Sequence, residues 1–222
     1  IFIGLSNPFV ASENLNLNNS REILIYGYGS DGMVSASKSI INILGNKNYV
    51  QGYFEYDSKK SGGVTKSHLR FSNDKIKSSY LVYSPELIVI SKDSYLSLFD
   101  PISNIKDNGT ILINTSKSDK EILKDLNPFK KILREKNVKL YTIDAGRLAE
   151  KHGLGRKISM IMAKAILNLM NLEGEEALEK FINDKFGLKS KKIASDSIEA
   201  LREVRENIKH CTLDDEFEEK DL

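Results

Sequence analysis

The chain has 222 residues, 40% of them hydrophobic, and a formal net charge of +2. This size suits one large α/β domain with extensions, and the near-neutral charge gives no overall electrostatic case for a nucleic acid or a membrane surface as partner. The single cysteine, Cys211, excludes a disulfide framework or a metal cluster held by this chain alone, and it suits a reducing compartment. No apolar run approaches the roughly 20 residues of a transmembrane helix.

Residues 1–20 are interpreted as a linker from a preceding domain. They are polar and turn-rich from Asn14 to Ser20, and they lack the basic start of a signal peptide. Because the chain begins with Ile1 and not with a methionine, we expect it to be a piece of a longer polypeptide.

Strand and helix patterns alternate from residue 21 onward. Short apolar or alternating runs predict strands at 22–26, 49–56, 65–71, 87–91, 110–114 and 138–144. Apolar residues at helical spacing predict helices at 33–44, 95–99, 120–136, 145–152, 157–171, 174–186 and 190–210. Such alternation is typical of βαβ units, so the predicted fold is a doubly wound, mostly parallel, Rossmann-like sheet with C-terminal helices.

Three segments follow the linker in the predicted domain organisation. Residues 21–186 form the α/β domain, and residues 187–213 form a C-terminal helical extension of the same domain. Residues 214–222 are rich in Asp and Glu, which is typical of a solvated acidic tail or a linker.

The first predicted strand runs directly into a glycine turn, Gly27-Tyr28-Gly29-Ser30-Asp31-Gly32. A G-x-G-x-x-G spacing between a strand and a helix can present backbone N–H groups and a helix dipole to a phosphate. Ser30 adds a hydroxyl group, whereas the Asp31 carboxylate opposes a bare pyrophosphate at the same place. The alternative is a tight turn that only lets the helix pack closely.

A second loop with phosphate-binding character, Ser58-Lys59-Lys60-Ser61-Gly62-Gly63, follows the second predicted strand. A nicotinamide dinucleotide would require an acidic ribose ligand at the end of that strand, and Asp57 is the candidate. The paired lysines and glycines favour a ligand with several separated phosphates, such as coenzyme A. The alternative for the two lysines is an exposed basic turn.

Four stretches resemble the gamma-type domain of pyruvate:ferredoxin (flavodoxin) oxidoreductases: YGYGSDGMVSASKSIINILG, YVQGYFEYDSKKSGGVTKSHLRFS, GTILINTS and YTIDAGRLAEKHGLGRKISMIM. The resemblance covers roughly Arg21 to Phe186 and points to the large single-chain, homodimeric enzymes. It implies that this chain is the coenzyme A-binding domain of an enzyme that oxidatively decarboxylates pyruvate to acetyl-CoA and CO2, with electron transfer to a low-potential acceptor.

The resemblance also implies where the ligand and the cofactors are bound. The implied coenzyme A contacts are Gly29, Ser30, Asp31, Gly32, Lys59, Lys60, Ser61, Gly62 and Asn114, with no catalytic or metal-binding residue in the chain. Thiamine diphosphate, Mg²⁺ and [4Fe–4S] clusters belong to other domains of the parent enzyme, so we expect the chain alone to be inactive. The acceptor would be ferredoxin, flavodoxin or a fused flavoprotein, in the cytoplasm or in an anaerobic organelle of a protist.

Two alternatives remain open at the level of the sequence. One is an autonomous NAD(P)-binding Rossmann domain, which would need a substrate domain with an acid and a base. The other is a structural gamma-like module of another multidomain redox protein, which would have no reason to contain the Lys59–Gly62 loop.

Overall fold

The computed structural model describes residues 20–57, 63–77, 81–172, 175–187 and 190–213. Within these residues the centre is a seven-stranded sheet with the order β2-β3-β1-β4-β5-β6-β7. The strands are Arg21–Tyr28 (β1), Tyr49–Tyr56 (β2), Val64–Ser72 (β3), Leu87–Ile90 (β4), Thr110–Asn114 (β5), Lys139–Ile143 (β6) and Lys209–Cys211 (β7).

The helices occupy both faces of this sheet. They are Met33–Leu44 (α1), Tyr95–Leu98 (α2), Asp119–Asp125 (α3), Lys130–Glu135 (α4), Ala145–Lys151 (α5), Ser159–Leu169 (α6), Glu175–Phe186 (α7) and Lys191–Asn207 (α8). A 3₁₀ turn at Asn127–Phe129 contains Pro128 and separates α3 from α4. Proline interrupts a helix because it lacks the backbone N–H group that an interior position donates. In the described ranges no helix is both long and apolar enough to cross a bilayer.

Five of the seven strands run in the same direction. The strand β1 is parallel to β4, β4 to β5 and β5 to β6, whereas β3 is antiparallel to both β1 and β2, and β7 is antiparallel to β6. The prediction of a doubly wound, mostly parallel α/β sheet is confirmed. The expectation of simple βαβ units is incomplete, because β2 and β3 form a hairpin that inserts β3 between β1 and β2.

The predicted helix at 190–210 is wrong at its C-terminal end. The helix α8 ends at Asn207, Ile208 is extended with φ −78° and ψ 118°, and Lys209–Cys211 pair with Leu140–Thr142 of β6. A three-residue strand is too short to show a hydrophobic period. Its conformation is set by pairing with a distant strand, which the local pattern does not record.

Alternate residues of the central strands enter two separate cores. Ile23 and Ile25 of β1 face α1, α5, α6, α7 and α8, whereas Leu24 and Tyr26 face α2, α3 and α4. This is the period of two expected for a strand with both faces covered. Each fully buried large aliphatic side chain stabilises the fold by about 1.5–3 kcal/mol, so the carboxyl ends of the strands rest on a well-packed support.

Candidate functional site

The strand order reverses between β1 and β4. From β1 the chain winds through α1 to β2 and β3 on one side, and it then crosses to β4 and continues towards β7 on the other side. Ligands of open α/β sheets bind at such a switch point, outside the carboxyl ends of the strands. The glycine turn after β1 and Ser91 after β4 both lie at this edge, which makes it the candidate ligand site.

The glycine turn is a tight reverse turn with two residues at positive φ. The N–H group of Asp31 donates to the carbonyl oxygen of Tyr28 at 2.9 Å, and φ is 74° at Ser30 and 86° at Gly32. A left-handed conformation is readily adopted by glycine, but it costs other L-residues about 1–2 kcal/mol. Ser30 therefore occupies a position that glycine would fill at lower cost, and its side chain is exposed.

Gly27 and Gly29 differ in what surrounds them. A Cβ atom on Gly27 would lie 2.6 Å from Oγ1 of Thr65 and 2.8 Å from Cβ of Met33, so Gly27 allows β1 to pack closely against β3 and α1. A Cβ atom on Gly29 would meet, among the described residues, the carbonyl oxygen of Gly63 at 3.8 Å. The fold alone does not require a glycine at position 29.

The Asp31 carboxylate occupies the N-terminal end of α1. Its Oδ1 accepts a hydrogen bond from the N–H group of Met33 at 2.9 Å. Its Oδ2 accepts from the N–H group of Tyr28 at 2.6 Å and from the Ser91 hydroxyl at 2.5 Å. Because the N-cap residue Gly32 has no side chain to cap the helix, Asp31 supplies the anion that a helix N-terminus favours. A phosphate at this point would face a carboxylate.

Tyr95 supports the same turn from α2. Its hydroxyl donates to the carbonyl oxygen of Gly27 at 3.2 Å. Burial, with smaller contributions from Asp31 and Tyr28, raises the pKa of Tyr95 to about 12. The hydroxyl is therefore protonated at neutral pH and remains a hydrogen-bond donor to the turn.

The second predicted loop connects β2 to β3, and its C-terminal end lies beside the glycine turn. Its central residues Ser58, Lys59, Lys60, Ser61 and Gly62 lie outside the described residues. On its two flanks, the N–H group of Asp57 donates to Val64 O at 3.1 Å, and the N–H group of Gly29 donates to Gly63 O at 3.3 Å. The two loops that the sequence singles out for phosphate binding thus leave from the same edge of the sheet.

Asn114, the last residue of β5, forms hydrogen bonds within the protein through both its amide nitrogen and its amide oxygen. Its Nδ2 donates to the carbonyl oxygen of Ser91 at 3.0 Å, and its Oδ1 accepts from the N–H group of Ala145 at 2.9 Å. These bonds fasten the β4–α2 loop to the start of α5. A direct contact of Asn114 with coenzyme A stays a prediction, and the observed bonds favour a role in positioning its neighbours.

Sequence reasoning missed a charged residue at this edge, Lys92. The Nζ atom of Lys92 lies 5.0 Å from the ring centroid of Tyr28, a cation–π distance, and both side chains are exposed. A signal was available, because Lys92 stands two residues after the buried run Leu87–Ile90. A residue in that position necessarily lies at the carboxyl edge of a parallel sheet.

The strand order disfavours a nicotinamide dinucleotide. In that fold the second strand lies next to the first and carries the acidic ribose ligand at its end. Here the antiparallel strand β3 separates β2 from β1. Asp57 accordingly lies two strands away from β1, with its side chain against Gly63.

The histidines are not assembled into a site. His68 Nε2 lies 2.8 Å from Oε2 of Glu55, His152 forms the C-cap of α5, and His210 belongs to β7. Within the described ranges, no three or more His, Cys, Asp or Glu side chains are grouped in a way that would hold a metal ion.

Comparison with known proteins gives a match to one family, and it shows that the chain covers only part of the length of its relatives. The model of the family described as pyruvate ferredoxin/flavodoxin oxidoreductase matches residues 22–207. The pyruvate-flavodoxin oxidoreductase of Klebsiella pneumoniae is 44% identical over 147 residues, which are 65% of this chain and 13% of that protein. The chain spans less than a fifth of this and of other curated relatives that it matches.

Two solved structures share the fold. The pyruvate oxidoreductase subunit PORC of Thermotoga maritima has a TM-score of 0.70 at 22% identity, and the match covers 88% of this chain and all of that subunit. The 2-oxoglutarate:ferredoxin oxidoreductase of Magnetococcus marinus, solved with 2-oxoglutarate, coenzyme A and succinyl-CoA bound, has a TM-score of 0.66 at 18% identity. That match covers 85% of this chain and 31% of the other.

Proposed function

The chain belongs to the pyruvate ferredoxin/flavodoxin oxidoreductase family, and from this premise we propose that it is the coenzyme A-binding domain of a pyruvate:ferredoxin (flavodoxin) oxidoreductase. The observation that carries the proposal is that the two segments singled out by the sequence for phosphate binding approach each other at the carboxyl edge of the sheet, where Gly29 N lies 3.3 Å from Gly63 O. The presence of coenzyme A in the Magnetococcus enzyme, which contains a domain of this fold, supports the choice of ligand.

The proposed contacts divide into binding and positioning groups. Lys59 and Lys60 supply point charges to the phosphates, with Ser61 and Gly62 beside them in the same loop. Gly29 and Ser30 offer an open backbone surface and a hydroxyl to the adenosine side of the ligand. The positive φ of Ser30 supports this role, because strained residues cluster where function retains them.

Asp31, Gly32 and Asn114 act mainly by holding this surface in place. Asp31 already accepts three hydrogen bonds at the start of α1, so the phosphates are bound by lysine side chains and not by the helix N-terminus. Gly32 provides the left-handed residue from which α1 starts. Asn114 ties the β4–α2 loop to α5.

In the proposed reaction, pyruvate loses CO2 and its acetyl group is transferred to the thiol sulfur of coenzyme A. The thiol proton is released, and the electron pair passes to a low-potential acceptor. This domain binds and orients coenzyme A, whereas thiamine diphosphate, Mg²⁺ and [4Fe–4S] clusters are bound by other domains. The small share of each relative that the chain covers supports such a division of labour.

The proposal extends to the assembly and its location. The parent enzyme is a homodimer of long chains that donates electrons to ferredoxin, flavodoxin or a fused flavoprotein. It works in the cytoplasm or in an anaerobic organelle. This chain alone is inactive with pyruvate, because it has one cysteine and cannot hold a [4Fe–4S] cluster with its own thiolates.

The test replaces the two lysines in the full-length enzyme. A charge-assisted contact to a phosphate contributes about 1.5–3 kcal/mol, so Lys59→Ala or Lys60→Ala should raise the KM for coenzyme A roughly ten- to a hundredfold. The KM for pyruvate should stay within about twofold, because decarboxylation precedes thioester formation. Steady-state kinetics with each substrate varied in turn gives both constants.

Lys106→Ala is the matched control, since Lys106 is exposed and precedes β5, at the opposite edge of the sheet. It should leave both constants at their original values. If Lys59→Ala, Lys60→Ala and the double variant all retain the original dependence on coenzyme A, the loop is an exposed turn and the chain is a structural module.

A further inference from the structure

The two outermost strands of the sheet differ in how well they are protected against further strand pairing. On one side, β7 has three residues, and its Lys209 and His210 are both exposed. A short edge strand and an exposed lysine are means by which proteins prevent an edge from pairing with another segment. On the other side, β2 extends over eight residues from Tyr49 to Tyr56 and contains no lysine, arginine or proline. Of the two, β2 is therefore the strand suited to receive a partner.

The geometry of β2 is regular along its whole length. All eight residues pair with β3 in one continuous register, from Tyr49 opposite Ser72 to Tyr56 opposite Thr65, so no bulge turns the edge away. In the part of the chain that the structure describes, no strand pairs with the outer side of β2. This outer side is thus a straight row of backbone groups that a partner strand could bind.

One hydrogen bond identifies the backbone groups that point outward from β2. Asp57, the residue after β2, donates its N–H group to the carbonyl oxygen of Val64 at 3.1 Å, so its backbone points towards β3. In an antiparallel pair the backbone groups of successive residues alternate between the two sides of the strand. The outward N–H and C=O groups are therefore those of the even-numbered residues, namely Val50, Gly52, Phe54 and Tyr56.

The side chains of β2 also favour an interface. Seven large hydrophobic side chains are exposed among the described residues, and three of them belong to this strand: Tyr49 at 54%, Tyr53 at 55% and Tyr56 at 63%. Tyrosine is enriched in protein interfaces, because its ring buries apolar area while its hydroxyl forms hydrogen bonds. A segment paired with β2 would shield these rings from water and would satisfy the outward backbone groups at the same time.

The two faces of β2 indicate the chemistry of a fitting partner. On the α1 face, the apolar side chain of Ile41 lies over Gly52, where a Cβ atom would be 2.4 Å from Ile41 Cδ1. On the opposite face, the Tyr53 ring lies beside the His68 ring, at 6.2 Å between centroids, and His68 contacts Glu55 at 2.8 Å. The partner that fits is an extended segment with apolar side chains on the α1 face and hydrogen-bonding side chains on the tyrosine face.

We propose that the outer side of β2 pairs with such an extended segment of the parent polypeptide, from outside residues 20–213. This inference rests on the proposed function only in that the chain is one domain of a longer enzyme. A partner within the same polypeptide is favoured because the matches cover 13% and 17% of two curated relatives, so most of such a polypeptide lies outside this domain. A segment that is tethered to its binding site also has a high effective concentration there.

Hydrogen–deuterium exchange in the full-length enzyme, read at single residues, tests whether this edge is covered. The outward N–H groups of Val50, Gly52, Phe54 and Tyr56 should exchange at least about a hundredfold more slowly than in an unstructured peptide, because each donates to the partner segment. Exchange at the rate of an unstructured peptide would overturn the proposal, since the edge would then be bare.

A substitution shows whether this protection comes from strand pairing. Tyr53→Lys places a lysine on the edge, which disfavours pairing, so exchange at Gly52 and Phe54 should become at least about tenfold faster. The N–H group of Glu55 points towards β3 and should exchange as in the original enzyme. Tyr83→Lys is the matched control, because Tyr83 is 74% exposed and lies outside every strand, and it should leave the exchange unchanged. Unchanged exchange in Tyr53→Lys as well would contradict the proposal.

Photo-crosslinking in the full-length enzyme identifies the partner. A benzophenone side chain in place of Tyr53 should give an adduct with the mass of one polypeptide, joined to a peptide from outside residues 20–213. An adduct between two copies of β2, an adduct within residues 20–213, or no adduct with the rest of the polypeptide would overturn the proposal. These measurements do not involve coenzyme A, so the proposed function is decided separately, by the KM values of the Lys59 and Lys60 variants.

Discussion

At two strand-to-helix junctions on the carboxyl edge of the sheet, an aspartate caps the helix, but the two junctions differ in what surrounds the cap. At the β6–α5 junction, Asp144 caps the helix by accepting a hydrogen bond from the N–H group of Arg147 at 2.9 Å. At the β1–α1 junction, Asp31 does the same for Met33. A carboxylate near a helix N-terminus satisfies otherwise unpaired donors in both places.

The junctions differ in what remains available above the cap. At β6–α5, the first N–H group of the helix is bound by Asn114, and the backbone turns without any residue at positive φ between Ile143 and Arg147. At β1–α1, Gly29 and Ser30 form a partly exposed surface, and Lys92 lies beside it. The comparison indicates that the β6–α5 junction is purely structural, whereas the β1–α1 junction also leaves an exposed surface that a ligand could reach.

The largest expected effect is on stability, where the two caps should be unequal. Asp31→Ala removes the acceptor for three donors, two on the backbone and one on Ser91, and should lower the free energy of unfolding by about 2–3 kcal/mol. Asp144→Ala removes one capping bond and should cost about 1 kcal/mol. Urea denaturation of the two variants measures both values, and equal losses would show that Asp31 does not join the turn to β4.

A smaller loss of stability should appear at alkaline pH, and of the two junctions it should affect only β1–α1. The pKa of Tyr95 is raised from its ordinary value of 10.0 to about 12. A raised pKa means that the folded state favours the protonated hydroxyl, so this contribution is fully present below pH 10 and is lost as pH rises from 10 towards 12. Tyr95→Phe should cost about 1 kcal/mol at pH 8 and should lose less stability than the original protein above pH 10.

Unfolding free energies at pH 8, 10 and 11 check this expectation. The difference between Tyr95→Phe and the original protein isolates Tyr95 from Tyr26, whose pKa burial also raises to about 12. A constant difference across this range would mean that the Tyr95 hydroxyl does not stabilise the turn through its proton.

The sequence predicts a strand or helix well where its own residue pattern is enough to specify it. The buried runs that became β4 and β5 appear as short continuous apolar stretches, and the helical period of α1 is plain from Val34 to Leu44. By contrast, the insertion of β3 between β1 and β2 and the addition of β7 depend on pairing with distant strands. Local patterns carry no record of such partners.

The candidate site is predictable in position but not in its internal bonds. The G-x-G-x-x-G spacing locates the turn, and the family resemblance is confirmed by the match over residues 22–207. The sequence does not show that Asp31 bonds to Ser91, sixty residues away, or that Lys92 lies over Tyr28. Those contacts arise because the sheet brings the ends of β1 and β4 together.

The most direct test of coenzyme A binding at this edge uses the two glycines of one turn in the full-length enzyme. Gly27→Ala places a Cβ atom against Thr65 and Met33, so it should destabilise the domain by about 1–3 kcal/mol through overpacking. Gly29→Ala meets no close neighbour among the described residues, so it should change the free energy of unfolding by less than about 1 kcal/mol.

The decisive measurement is the KM for coenzyme A of the Gly29→Ala enzyme. The new methyl group would stand where we propose that coenzyme A approaches the backbone, so we expect a rise of at least about tenfold, equivalent to about 1.4 kcal/mol, with an unchanged KM for pyruvate. A fully folded Gly29→Ala enzyme with the original KM for coenzyme A would contradict the account, because the turn would then be a packing feature that no ligand touches.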